Sequence, residues 1–232
     1  MPAPDSRSSR RYAIAGASGL VGGALARQLA ADPRTGALHL LLRRQAPALA
    51  SLPHAQVIAW PGGAVPRLSP IDTAICALGT TIKAAGSQAA FRTVDFDAVL
   101  DFARAARAAD ATRFAVISAL GADAASAVFY NRVKGEMEQA LIALGFRTLV
   151  IARPSLLLGD RAALGQAPRF GEALAQTLTP WMTWFTPRRV RPIRAEHVAT
   201  GLLAALADAD AGVRVLESDA LQRLADTAMP VH

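Results

Sequence analysis

The sequence predicts an α/β fold in which a parallel sheet is covered by helices on both faces. Three observations predict it: short apolar runs alternate with longer amphipathic ones, the first apolar run leads into closely spaced glycines, and Gly, Pro and Asp punctuate the junctions. With 232 residues, of which 52% are hydrophobic, the chain can bury one full core. We read residues 10–232 as one domain, with residues 154–232 as its substrate side, behind a tail of residues 1–9 whose Pro, Ser and charge predict disorder.

Tyr12 to Ala15 reads as the first strand. Leu20 to Ala31 reads as a helix with Val21, Leu25 and Leu29 on one face, stopped by Asp32 and Pro33. Leu38 to Leu42 and Gln56 to Trp60 follow as strands joined by an irregular connection, and Thr73 to Leu78 as a fourth strand that leaves through Gly79, Thr80 and Thr81. Phe91 to Ala109 reads as one long helix and Arg113 to Ser118 as the fifth strand. Phe129 to Leu144 sets Val133, Met137 and Leu141 in a stripe and ends at Gly145, and Arg147 to Ala152 is the sixth strand. Beyond Pro154 the alternation gives way to a stretch with Pro, Trp and Arg, then a helix from Glu196 to Ala207 and a short strand from Val213 to Leu216.

Open parallel sheets bind ligands at the carboxyl ends of their strands, where the strand order reverses. Gly16, Gly19 and Gly22 lie at such an end, with Ser18, Leu20 and Val21 in the same turn. The first glycine permits the tight turn, the second lets the backbone approach a pyrophosphate, and the third lets the helix pack close to the sheet. This is a dinucleotide cradle of Rossmann type. At the end of the second strand, where an NAD site usually places an acid, the chain has Arg43 and Arg44, and no Asp or Glu stands between Asp32 and Asp72. A guanidinium there pairs with a 2′-phosphate, so NADPH is expected over NADH.

Tyr130 and Lys134 share a helix face one turn apart, and Ser118 closes the strand before them. An ammonium beside a phenol favours the phenolate, which suits such a pair to exchange a proton with a carbonyl or an alcohol. Ser126 is a competing hydroxyl with a helix-start role, and His197 reads as structural.

The net charge of +7 favours anionic ligands, yet only Arg188, Arg189, Arg191 and Arg194 cluster. No nucleic-acid signature or metal-ligand spacing accompanies them, so neither nucleic acid nor a metal is expected. Trp181, Trp184 and Phe185, beside that cluster, suit packing or pocket lining, with a lid, an oligomer contact or a membrane-surface patch left open. No apolar run reaches the length of a membrane span. The lone Cys76 lies in an apolar run and implies a reducing surrounding. Arg10 and Arg11 mimic a twin-arginine signal, but cleavage after Ala31 would delete the first strand and the glycine turn, so a cytoplasmic protein is expected.

From Tyr12 to about Leu206 the chain resembles the short-chain dehydrogenase/reductase superfamily, and within it the atypical members similar to Tat-interacting-protein-like oxidoreductases. The resemblance rests on Gly-Ala-Ser-Gly-Leu-Val-Gly from Gly16, Leu-Gly-Thr-Thr from Leu78, Val-Asp at Val94, and Ser118 with Gly-Ala-Asp from Gly121. Tyr-x-x-x-Lys-Gly-Glu from Tyr130 and Arg-Pro-Ser-Leu-Leu-Leu-Gly from Arg153 complete it. It implies that Tyr130 is the general acid or base, that Lys134 also holds the nicotinamide ribose, and that Ser118 orients the substrate oxygen. It also brings Leu78, Gly79 and Thr80, and Pro154, Ser155 and Leu156, to the cofactor. Ala119 stands where a second serine is common, Asp95 where many members carry a helix asparagine, and Trp60-Pro61-Gly62 where an acid often contacts adenine.

The expected activity is NADP(H)-dependent carbonyl reduction, or alcohol oxidation, on a small molecule, with a homo-oligomer left open. A non-catalytic NADPH-binding regulator or assembly factor is the alternative. A nucleotide-sugar epimerase or dehydratase ranks lower, since such enzymes need a larger substrate domain than residues 154–232 supply.

Overall fold

The computed structural model of the chain describes residues 9–158, 188–208 and 210–228. Seven strands form one parallel sheet: β1 (Arg10–Ala15), β2 (Thr35–Leu42), β3 (Ala55–Ala59), β4 (Thr73–Cys76), β5 (Arg113–Ile117), β6 (Thr148–Arg153) and the edge strand Gly212–Glu217. Two short strands, β7 (Leu157–Leu158) and β8 (Ile193–Arg194), pair apart from it, so the edge strand is β9. The order is β3-β2-β1-β4-β5-β6-β9, and the direction of winding reverses between β1 and β4. This is the doubly wound Rossmann sheet that the sequence predicts, and its switch point lies beside the glycine turn.

Strand side chains alternate between two buried layers. Tyr12, Ile14, Leu38 and Leu40 face one, Ala13, Ala15 and Leu41 the other, so the strands read as continuous apolar runs. The first layer is covered by α1 (Leu20–Ala31), whose Val21, Leu25 and Leu29 are buried as expected. Beside it lie α7 (Ala195–Asp208) and α8 (Ser218–Ala228), which supply Val198, Leu202 and Leu221. The second layer is covered by α5 (Ala98–Ala108) and α6 (Phe129–Ala143), which supply Phe102, Met137 and Leu141. The described residues between 195 and 228 are therefore built into the main fold.

Three short helices fall in the connections: α2 (Pro47–Ala50), α3 (Ile82–Ala85) and α4 (Gln88–Arg92). The long helix expected over Phe91 to Ala109 differs in two ways. It starts earlier, where the Ser87 hydroxyl accepts from the Ala90 N–H at 3.1 Å, and the stretch Thr93–Asp97 between α4 and α5 is a turn of π-helix. Such a turn admits one extra residue into the helical ladder. Asp95 sits in it, fully buried.

Residues 1–8 and residues 159–187, with Trp181, Trp184 and Phe185, lie outside the described residues, as does the side chain of Arg188.

Candidate functional site

At the carboxyl ends of the central strands opens a groove of about 810 Å³, lined by Gly16, Ser18, Gly19, Leu20, Val21, Arg43 and further residues along its length. The glycine turn is sterically specified. Gly16 has φ +86, and a Cβ there would lie 2.6 Å from the carbonyl carbon of Ala77 at the end of β4. A Cβ on Gly22 would meet the Gly16 oxygen at 2.1 Å, so Gly22 sits beneath the turn and sets the approach of helix to sheet while forming no part of the groove wall. At Gly19 the nearest atom would be 3.4 Å away, which leaves its groove side open.

Gly19 is the N-cap of α1, no side chain caps it, and the first turn holds no acid. The opening N–H groups of a helix have no partner within it, and they favour an anion. These features fit the pyrophosphate of a dinucleotide. Of the two arginines after β2, Arg43 lines the groove and Arg44 does not. Trp60 lies beside Arg43 in the wall, with its indole N–H donated to the Gly63 carbonyl at 3.0 Å.

Leu78, Gly79 and Thr80 pass along the groove after β4. The Thr80 N–H donates to Asp95 Oδ2 at 2.8 Å, and Asp95 Oδ1 lies 2.8 Å from Lys134 Nζ. Lys134 is 3% exposed. Burial alone pulls its pKa down; the Asp95 carboxylate, helped by Tyr130, outweighs that and holds it above the ordinary lysine value. The lysine is therefore a fixed ammonium, neutralised by a carboxylate that also grips the loop after β4. Tyr130 lies beside it in the wall and packs on Phe91, with ring centroids 5.3 Å apart.

Ser118 follows β5 and is buried at the groove. Its hydroxyl donates to Glu138 Oε1, and Arg153 Nε holds both oxygens of Glu138 at 3.0 and 3.2 Å. Glu138 escaped the sequence reading, although its signal was available. It lies one turn beyond Lys134, so Tyr130, Lys134 and Glu138 form one polar stripe on α6. The chain after Ser118 is pressed onto this helix: a Cβ on Gly135 would lie 2.1 Å from the Ala124 nitrogen, and the Asp123 N–H donates to the Asn131 carbonyl.

Pro154 and Ser155 line the groove, but Leu156 does not, and Leu157 takes its place. The Ser155 hydroxyl is committed to the fold, since it donates to the Arg191 carbonyl and accepts from Ser218 at 2.9 Å. Ser126 accepts from the Val128 N–H at 3.2 Å in a local turn ahead of α6, and His197 lies against Gln222. Burial pushes the Cys76 thiol up to about 12, which makes it inert. Among the described residues no helix is long and apolar enough to cross a membrane, and no cluster of His, Cys, Asp or Glu is arranged for a metal ion. A second cleft of about 610 Å³ opens at the amino ends of the strands, where Arg11 pairs with Asp72 and Arg34 with Asp32. It holds none of the candidate residues.

Comparison with known proteins agrees with this architecture. The family model described as HIM1 matches residues 49–184. The protein fmp52, mitochondrial, of Emericella nidulans is 36% identical over 173 residues, 71% of this chain and 72% of that protein. Among solved structures, an oxidoreductase of the short-chain dehydrogenase/reductase family from Burkholderia thailandensis has a TM-score of 0.67 at 17% identity, covering 92% of this chain and 93% of that one. MoeE5, solved with UDP-glucose and NAD, has a TM-score of 0.66 at 15% identity, covering 94% of this chain and 81% of that one. The fold is that of the short-chain dehydrogenase/reductase superfamily. The relatives overturn the expected cytoplasmic location, because curated proteins of Candida albicans and Eremothecium gossypii carry the same name and are likewise called mitochondrial. The physical reason is that a lone buried thiol reports a reducing surrounding, which does not distinguish one reducing compartment from another.

Proposed function

The chain belongs to the HIM1 family, and we propose that this member is an NADP(H)-dependent oxidoreductase acting on a carbonyl or alcohol of a small molecule. The observation that carries the reading is the meeting, in one groove, of an uncapped helix start behind Gly16 and Gly19 with the Tyr130 and Lys134 pair. In this reading the first-turn N–H groups of α1 bind the pyrophosphate and Arg43 receives the 2′-phosphate. Leu78, Gly79, Thr80, Pro154 and Ser155 line the rest of the cofactor's path. The nicotinamide, when bound, supplies or accepts hydride. Tyr130 gives or takes the proton at its phenolic oxygen, and Lys134 holds the ribose while Asp95 keeps the ammonium charged and in place. Ser118 orients the substrate oxygen. Within the superfamily we place the chain beside the atypical, Tat-interacting-protein-like oxidoreductases, on the strength of the motifs from Leu78, Tyr130 and Arg153.

One observation favours the second reading, a non-catalytic NADPH-binding regulator. Lys134 and Ser118 each already engage a carboxylate of the fold, Asp95 and Glu138. The two readings separate in one experiment: titrate wild type, Arg43→Glu and Tyr130→Phe with NADPH and NADH, then assay each on a panel of aldehydes, ketones and alcohols. The proposal expects tighter NADPH binding in wild type, loss of that preference in Arg43→Glu, and loss of turnover with cofactor affinity kept in Tyr130→Phe. A wild type that binds NADPH and turns over nothing supports the regulator.

A further inference from the structure

In the proposed function Arg43 receives the 2′-phosphate, and that phosphate is carried by the adenosine ribose, so the adenine lies at the Arg43 end of the groove. Two banks form the wall there. One is the turn after β3, from Trp60 to Gly63; the other is the groove side of α5, with Ala98 and Asp101. The banks are held together, since Phe102, next to Asp101 in α5, stacks on Trp60 with ring centroids 6.4 Å apart.

The turn after β3 offers a base a surface but no side chain that reads its edge. Trp60 spends its indole N–H on the Gly63 carbonyl at 3.0 Å, Pro61 has no N–H, and Gly62 and Gly63 have no side chain. The other bank carries a carboxylate. The Asp101 side chain is 47% exposed, and among the described residues its Oδ1 accepts from Arg104 Nη1 at 3.1 Å while its Oδ2 accepts from no donor. Arg104 offsets its charge, so the acid does not set a net repulsion against the phosphates. A carboxylate only accepts hydrogen bonds, and the edge of adenine presents a 6-amino group with two hydrogens to give.

We propose that Asp101 is a specificity-determining residue that accepts a hydrogen bond from the adenine 6-amino group, so that α5 supplies the acid which the turn after β3 lacks. Arg104 holds one carboxylate oxygen and thereby turns the side chain, leaving the other for the base. Asp97 lies on the same wall one turn earlier, in the π stretch and farther along the helix from the Trp60 contact, so it is the natural comparison.

The inference rests on the NADP(H) part of the proposed function, and binding alone tests it. Wild type, Asp101→Ala, Asp101→Asn and Asp97→Ala are titrated with NADPH and with an NADPH analogue carrying purine in place of adenine, which lacks only the 6-amino group. Wild type is expected to bind the purine analogue about tenfold more weakly than NADPH, the loss of one hydrogen bond to a charged acceptor that is partly open to water. Asp101→Ala is expected to weaken NADPH about tenfold and to leave the analogue in place, so that the two ligands become equal. Asp101→Asn keeps a neutral acceptor and should retain part of the preference; Asp97→Ala should retain all of it. A wild type that binds both ligands equally overturns the inference and leaves the oxidoreductase reading standing. So does an Asp101→Ala protein that keeps the full preference, which would assign the amino group to a backbone carbonyl, or one that weakens both ligands alike. A wild type that binds neither ligand overturns both readings.

Discussion

Asp95→Asn removes the carboxylate that pairs with Lys134 among the described residues and should be among the most damaging single changes in the described fold. Asp95 is fully buried and Lys134 is 3% exposed, so water cannot replace the lost anion. Breaking a buried ion pair on one side costs about 3–5 kcal/mol, against a total stability of about 5–15 kcal/mol for a domain. For a domain of this size that is a fall in Tm of about 6–20 °C. The pH dependence identifies the cause. In wild type the lysine pKa is raised, so its contribution is complete below the ordinary value of 10.5 and is lost only as pH rises through the folded value. In the variant desolvation acts without Asp95, and the folded pKa drops below that of the unfolded chain. The deficit is then largest at neutral pH and shrinks as pH rises toward 10.5, by up to about 1.4 kcal/mol per unit. Urea unfolding followed by circular dichroism, for both proteins between about pH 6 and about pH 10, measures it. A deficit below about 1 kcal/mol, or one that does not change with pH, refutes the buried-pair account.

Gly22→Ala puts a Cβ 2.1 Å from the Gly16 oxygen; it should cost about 1–3 kcal/mol and weaken NADPH binding at least about tenfold, read by thermal melting and by titration. His39, buried on β2, has its pKa lowered by desolvation from 6.5, so stability should fall as pH drops below that value, and His39→Gln should flatten the loss in urea midpoints taken at about pH 7 and about pH 5. The Arg-paired carboxylates Asp32, Asp72 and Asp219 have lowered values, so their contributions are lost only below the ordinary 3.8, well clear of the histidine window. Native Cys76 should resist a thiol reagent such as iodoacetamide at neutral pH and react once urea unfolds the chain; rapid labelling of the native protein would contradict its burial.

The glycine turn was legible because its constraints are local. A strand, a glycine turn and a helix leave their mark in neighbouring residues, and α1 falls where Leu20 to Ala31 predicts it. Tyr130 and Lys134 were legible as a helical pair, and the structure brings Ser118 to the same groove. What stayed hidden depends on distant partners. Hydrophobic period locates the helix over residues 88–108 but is blind to the extra residue of a π turn, and it is that turn which carries the lysine's counter-charge. Arg44 looked equivalent to Arg43 in sequence, yet only Arg43 reaches the groove wall. The helix α8 was not anticipated, although Leu221 and Ala225 four residues apart, with Asp219 and Arg223 paired across one turn, are ordinary helix signals.

The arrangement of charge explains how the candidate site can bury a lysine and a glutamate on one helix. Along α6, Lys134 is balanced by Asp95, while Glu138 is balanced by Arg153. The polar wall beneath Tyr130 therefore carries two cations and two anions and adds no net charge to the groove, despite the chain's overall charge of +7. Uncompensated burial of any one of these groups would cost several kcal/mol, which is a physical reason for their pairing. On the proposed function, a bound dinucleotide then gains no net charge complementarity from the Tyr130 end of the groove. The attraction must come from the other end, where the first turn of α1 holds no acid and Arg43 stands exposed at the wall. On the proposed function, affinity and proton chemistry fall to separate halves of one groove. On that division, salt should weaken cofactor binding through Arg43 and the helix start while leaving the screened, buried pairs of α6 almost untouched.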